Sequence, residues 1–340
     1  MTAHSRRSSH ALTGLQRALA GVGLAVGAFA GAAAANVAAA RSAERAHPPR
    51  GNFLEIDGVR LRYIEAGKGP ALLLVHGNGV SADDFVSSGL FDALAVDHRV
   101  IAIDRPGFGH SARPHGRDWT AAAQARLLVD ALGQLGVRDA IVGGHSWGAI
   151  VAANAALERP GLVRGIVLIS GYYVPTLRLD SWLAAGSTIP ILGEGMRYTL
   201  SPLLGRLMAP VMFEALFSPG PVPARFREDF SIGMAVRPWQ LGASAAEGAT
   251  MVAEAKRLQA RVGELALPVL MIGGEGDKIA GFEQQTVAFA RQLPRATVVP
   301  IAGAGHMPHH VATDQIASAI RVWETGLRVD PTEGAARRTA

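Results

Sequence analysis

Four short apolar runs, each closed by turn residues, frame this chain: Ala71-Leu72-Leu73-Leu74-Val75, Ala140-Ile141-Val142, Pro268-Val269-Leu270-Met271-Ile272 and Thr297-Val298-Val299-Pro300-Ile301. Continuous runs, as opposed to alternating ones, mark strands of a parallel sheet covered on both faces. Ahead of them, Phe53–Ile56 and Val59–Glu65 flank Asp57-Gly58, a strong turn pair, and predict an antiparallel hairpin. Strand and helix patterns then alternate as far as Ile169, the signature of a sheet with helices on both sides. From about Tyr172 to Gly263 the alternation stops, and Pro, Leu, Met and Phe dominate. The pattern therefore predicts a mostly parallel, doubly wound α/β core over 51–170 and 264–328. It is interrupted by a helical insertion over 171–263 and followed by a polar tail, 329–340, expected to be disordered.

The candidate chemistry lies where the apolar runs end. After the second run comes Gly143-Gly144-His145-Ser146-Trp147-Gly148. Gly144-x-Ser146-x-Gly148 after a strand is the nucleophile-elbow pattern, in which a sharp strand-to-helix turn pushes the serine hydroxyl out of the sheet. Glycine is needed on either side because a β-carbon there would collide, and the following helix turns its free N–H groups toward the serine. The first run ends in His76-Gly77-Asn78-Gly79, the third in Gly273-Gly274-Glu275-Gly276-Asp277, and the fourth leads to Gly303-Ala304-Gly305-His306. Each candidate thus follows the C-terminal end of a strand, the edge where open α/β sheets form their sites.

On these motifs, over roughly residues 53–328, the chain resembles the α/β-hydrolase superfamily, whose triad runs serine, acid, histidine along the chain. Asp104-Arg105-Pro106-Gly107-Phe108-Gly109 also resembles a turn of the branch related to epoxide hydrolases and haloalkane dehalogenases. The resemblance implies an inserted helical cap over 171–263. It also implies Ser146 as nucleophile, His306 as base and Asp277 as its orienting acid, with the backbone N–H groups of Asn78 and Trp147 as an oxyanion hole. His76, Gly77, Gly144, His145 and Gly148 would support the loop and elbow, and Asp104 and Arg105 would brace their turn. Glu275 is the alternative acid, and His309 and His310 are expected to open the last helix. Epoxide hydrolases and dehalogenases carry aspartate where this chain has Ser146. A serine forms an acyl-enzyme from an ester-like carbonyl and cannot make the ester that a carboxylate forms with an alkyl halide. The expectation is a cofactor-free serine hydrolase without a metal, acting on a small apolar ester or lactone. Carbon–carbon bond hydrolysis or perhydrolysis with the same triad is the alternative, and a non-catalytic receptor is a third reading. Cap residues such as Met196, Met208, Met212 and Phe213 either contact an apolar substrate or only pack the cap.

Composition adds one more region. The chain has no cysteine, hence no thiol nucleophile and no disulfide. Its net charge of +5 comes from the first 50 residues, which hold six arginines and one glutamate; the remainder has 27 basic and 27 acidic residues, so nucleic-acid binding gains no support. Residues 18–40 are uncharged over 23 positions, long enough to cross a bilayer, and Gly23, Gly27 and Gly31 form a small-residue stripe. Arginines flank both ends, so orientation is not set. A single-helix membrane anchor is expected. The alternatives are an export signal cleaved near Ala38-Ala39-Ala40, with a hint of twin-arginine character at Ser5-Arg6-Arg7, or a disordered leader.

Overall fold

The computed structural model describes residues 4–176 and 192–329. Eight strands form one sheet in the order β1-β2-β4-β3-β5-β6-β7-β8. They are β1 Asn52–Ile56, β2 Val59–Ala66, β3 Ala71–Val75, β4 Arg99–Ile103, β5 Ala140–His145, β6 Val163–Ile169, β7 Val269–Gly274 and β8 Ala296–Ile301. Only β2 runs against its neighbours; from β4 to β8 every pairing is parallel. The β1–β2 turn has Asp57 and Gly58 both at positive φ (49° and 70°), the backbone of a two-residue turn whose twist suits a hairpin.

The unbroken apolar runs have the expected cause. In β3 all five residues are buried, and alternate side chains go to opposite faces. Leu73 and Val75 join a core with helices Ala121–Gln134 and Trp147–Glu158, whereas Leu72 and Leu74 pack with helices Leu90–Ala95 and Thr313–Val329. Helix Ala121–Gln134 starts at Thr120, whose side chain accepts the N–H of Ala123 at 3.2 Å. Removing such a cap costs about 1 kcal/mol.

Between β6 and β7 the described residues include the α-helices Leu192–Tyr198, Ser201–Phe217, Ala224–Asp229, Ile232–Ala235 and Pro238–Gln259. These helices lie within the span of the expected insertion, and the edges of that span are shared with the body. Tyr173 stacks on Phe289, and Leu258 belongs to the same core as the sheet. Of the expected cap, 177–191 lies outside the described residues. So does the expected disordered tail, except that Val329 ends the last helix.

One helix runs from His4 to Ala46, and its C-terminal part docks on the insertion. Asn36 Nδ2 donates to the carbonyls of Tyr198 (2.9 Å) and Thr199 (2.8 Å), Ala40 is buried, and Glu44 pairs with buried Arg237 at 2.6 Å. Residues Gln16–Ala46 have the length and apolar composition of a membrane span. Its stripe glycines Gly23, Gly27 and Gly31 face open space.

Candidate active site

Strand β5 runs through Gly143, Gly144 and His145, and the chain turns at Ser146 with φ 51° and ψ −118°, a conformation that non-glycine residues rarely adopt. The turn needs its glycines. A β-carbon on Gly144 would strike the carbonyl of Gly148, and one on Gly148 would strike the carbonyls of Val75 and His76. The loop after β3 is drawn equally close, since a β-carbon on Gly77 would lie 3.2 Å from Ser146 Cβ. Helix Trp147–Glu158 begins immediately behind the serine, and its first N–H groups lack intrahelical acceptors.

The loops after β7 and β8 bring Asp277 and His306 to the same point. His306 Nδ1 donates to Asp277 Oδ2 at 2.8 Å, and Ser146 Oγ lies 3.0 Å from His306 Nε2. The carboxylate acceptor puts the proton on Nδ1, which leaves Nε2 free to accept from the serine. The other oxygen of Asp277 accepts the N–H groups of Ile279 (2.8 Å) and Ala280 (2.9 Å), so its orientation is fixed twice. Glu275, the alternative acid, is exposed and outside this relay.

The neighbouring histidines are held neutral. His76 Nε2 accepts the N–H of Arg105 at 2.9 Å while Nδ1 donates to Gly77 O at 2.8 Å, a pairing open only to the uncharged ring. Burial and the Arg105 guanidinium push its pKa well below the usual imidazole value. His145 donates from Nε2 to the carbonyl of His306 at 2.9 Å, and burial followed by the fields of His309 and His306 lowers it likewise. The unfolded chain binds protons at these positions below pH ~6.5, and the folded one does not. Stability is therefore expected to fall by about 2–3 kcal/mol per pH unit as pH drops from ~6.5 toward 5. A melting series read by circular dichroism checks this. A flat profile would overturn the assignment, and His145→Asn should make the slope shallower by about 1.4 kcal/mol per pH unit, one proton's share.

His309 and His310 do not merely open the last helix, as expected from sequence. They sit in the short turn Pro308–Val311 and clamp the buried carboxylate of Asp84, at 2.8 and 2.9 Å. Burial pushes the Asp84 carboxyl up, but His310 and His309 outweigh it and hold it well below the usual carboxylate range. Asp84, His145 and His309 each bring a ligand atom within 4.8 Å of the others, the spacing of a small metal site. The Asp84–His309 approach is already that of a hydrogen bond. No sequence signal marks this clamp, whose members stand 225 and 226 positions apart.

Arg105 does more than brace its own turn. Fully buried, it donates to the carbonyls of His76 and Gly77 (2.8 Å each), to Gln124 at 3.0 Å, and to Glu247 of cap helix Pro238–Gln259. Asp104 accepts from Ala82 N and His110 N and faces Arg62, so its expected bracing role has named partners. Asn78 is tied to the same cap helix: its amide donates to Ser244 O at 2.9 Å, and Ser244 Oγ donates back to its Oδ1. Phe213, Phe217 and Phe226 are buried with Met307, one residue from His306, whereas Met208 and Met212 are exposed on the outer face of the cap. A cavity of about 310 Å³ lies between Pro48, Gly79, Ser81 and Met234 and does not reach Ser146.

The family model of the alpha/beta hydrolase fold matches residues 70–313. The chain belongs to the α/β-hydrolase fold family. Within it, the chain is 26% identical over 288 residues to haloalkane dehalogenase 2 of Mycobacterium tuberculosis, covering 81% of this chain and 94% of that protein. Its fold is shared with a thermophilic esterase from Thermogutta terrifontis (TM-score 0.66, 24% identity, 82% of this chain and 99% of the other). It is shared also with a membrane phospholipase A described as a bacterial virulence factor (TM-score 0.62, 23% identity, 94% and 99%). The same fold recurs in haloalkane dehalogenase DbeA from Bradyrhizobium elkani (TM-score 0.64, 21% identity, 82% of this chain and 98% of the other).

Proposed function

We propose that this α/β-hydrolase is a serine ester hydrolase held at a membrane by its N-terminal helix. The observation that carries the reading is the relay Ser146 Oγ, His306 Nε2, His306 Nδ1, Asp277 Oδ2, with steps of 3.0 and 2.8 Å at a strained elbow. Ser146 attacks the ester carbonyl and passes its proton to His306. The Trp147 and Asn78 N–H groups hold the oxyanion. His306 returns the proton to the leaving alcohol, and water then repeats the sequence on the acyl-enzyme. Asp277 fixes the imidazole tautomer and stabilises the imidazolium. Dehalogenation fits poorly: the nucleophile is not a carboxylate, and the amide of Asn78 is already engaged by Ser244.

A fluorophosphonate probe tests the reading. Covalent labelling is expected at Ser146 and is lost in Ser146→Ala. A series of p-nitrophenyl esters from acetate to decanoate then reports acyl preference. Full-length protein that resists the probe sinks the activated-serine reading. Anchoring is supported over a cleaved export signal by the contacts of Asn36, Ala40 and Glu44, because cleavage near Ala40 would strip most of them from the cap.

A further inference from the structure

Cap helix Ser201–Phe217 is apolar on both sides. Its inner side buries Pro202, Ala209, Phe213 and Phe217. Its outer side exposes Leu203, Leu204, Leu207, Met208, Val211 and Met212, each about half exposed or more. Those positions repeat by three and four, so they form one continuous stripe along the helix. Soluble surfaces scatter single apolar side chains; a contiguous stripe of large ones marks a contact surface.

The N-terminal helix indicates what covers it. Asn36 holds the carbonyls of Tyr198 and Thr199, at the break where helix Leu192–Tyr198 meets Ser201–Phe217 at 67°. The stripe starts just beyond, with exposed Leu200. From Ala18 to Ala35 the N-terminal helix is uncharged, and 18 residues rise about 27 Å, close to the ~30 Å hydrocarbon core. Its exposed Leu19, Val22, Leu24, Val26 and Phe29 would occupy that core, which sets the bilayer surface level with Asn36. The stripe therefore continues an apolar surface that is already committed to lipid.

We infer that the outer face of helix Ser201–Phe217 lies in the headgroup–acyl boundary of the bilayer as a second, monotopic contact, seating the cap on lipid. This rests on the anchor reading above. The occupant is the membrane, and a second copy of the chain is the competing outcome.

Because the chain has no cysteine, single cysteines can be placed at will. Leu24→Cys, Leu207→Cys, Val211→Cys and the distant Val96→Cys of the full-length protein would carry an environment-sensitive fluorophore in phosphatidylethanolamine–phosphatidylglycerol vesicles containing lipids spin-labelled on the acyl chain. Quenching is expected at Leu24, Leu207 and Val211, with Val96 unquenched. Quenching at Leu24 alone overturns the inference and leaves the anchor standing. No quenching at Leu24 or Leu207 overturns both. A shielded but unquenched label at Leu207 that becomes exposed on dilution assigns the stripe to a second copy instead. The triple variant Leu203→Ser, Leu207→Ser, Val211→Ser should lower hydrolysis of a vesicle-borne ester at least about fivefold and leave a soluble ester within about twofold. Equal loss on both substrates would reduce the stripe to a structural role. Failure of the serine mechanism appears separately, as loss of both hydrolyses with the quenching intact.

Discussion

Ser146→Ala is expected to lower kcat for a soluble p-nitrophenyl ester by about 10⁴-fold or more, with little change in melting temperature. Among the described residues the hydroxyl makes one hydrogen bond, to His306, and packing at the turn comes mainly from backbone and glycines. Removing it leaves the N–H donors intact, so residual turnover of about 10³–10⁴ over water can persist. His306→Ala should cost about as much and should not add to the serine loss, because the two act as one unit. Asp277→Asn should cost up to about 10⁴-fold by favouring the wrong tautomer of His306. Steady-state kinetics of the single and double variants checks all three. If Ser146→Ala retains more than about a tenth of the activity, far above that residual, the proposed nucleophile is wrong.

Arg105→Met should be the most damaging change away from Ser146, His306 and Asp277. Glu247 is as buried as Arg105, and among the described residues only Gln124 would remain to hydrogen-bond it, at 3.0 Å. Breaking one side of a buried ion pair costs about 3–5 kcal/mol, more than most whole-residue deletions at a surface. For a chain this long, that is a fall of roughly 10 °C in melting temperature. The double variant Arg105→Met, Glu247→Leu should recover much of the stability, because neither member of this pair is left alone in the core. Activity should not recover with it, since the carbonyls of His76 and Gly77 lose the guanidinium that fixes the loop proposed to hold the oxyanion. Calorimetry and kinetics on the same samples separate the two effects. Parallel recovery of both would make Arg105 purely structural.

Much of this architecture is legible in the chain because its signals are local. The β3, β5, β7 and β8 runs are apolar over three to five neighbouring residues, and Gly144, Ser146 and Gly148 encode a turn within five. Asp277 and His306 are readable because each follows its strand directly. The rest depends on contacts that no local pattern carries. Arg105 looks like a turn residue, yet its partner Glu247 lies 142 positions away in a helix of ordinary composition. Asp84 is one of two adjacent aspartates, and nothing beside it marks the one that faces two histidines. The docking of the N-terminal helix is equally silent, since Asn36 and Glu44 look like incidental polar residues in an alanine-rich stretch. The outer stripe had a local signal: its Leu and Met residues repeat at helical spacing. That spacing alone cannot separate a buried face from an exposed one.

The histidine loop hangs from the cap itself. The N–H of His306 donates to the carbonyl of Leu216 at 2.8 Å, at the end of the helix whose outer face carries the stripe. With Arg105–Glu247 and Asn78–Ser244 also crossing from body to cap, the insertion is not an exchangeable part. A chimera bearing a relative's cap would take Glu247 from the Arg105 guanidinium and Ser244 from the Asn78 amide, and would move His306 along with the roof. On the proposed function, a change of acyl preference is therefore expected from side-chain changes within the existing cap, not from wholesale replacement of it.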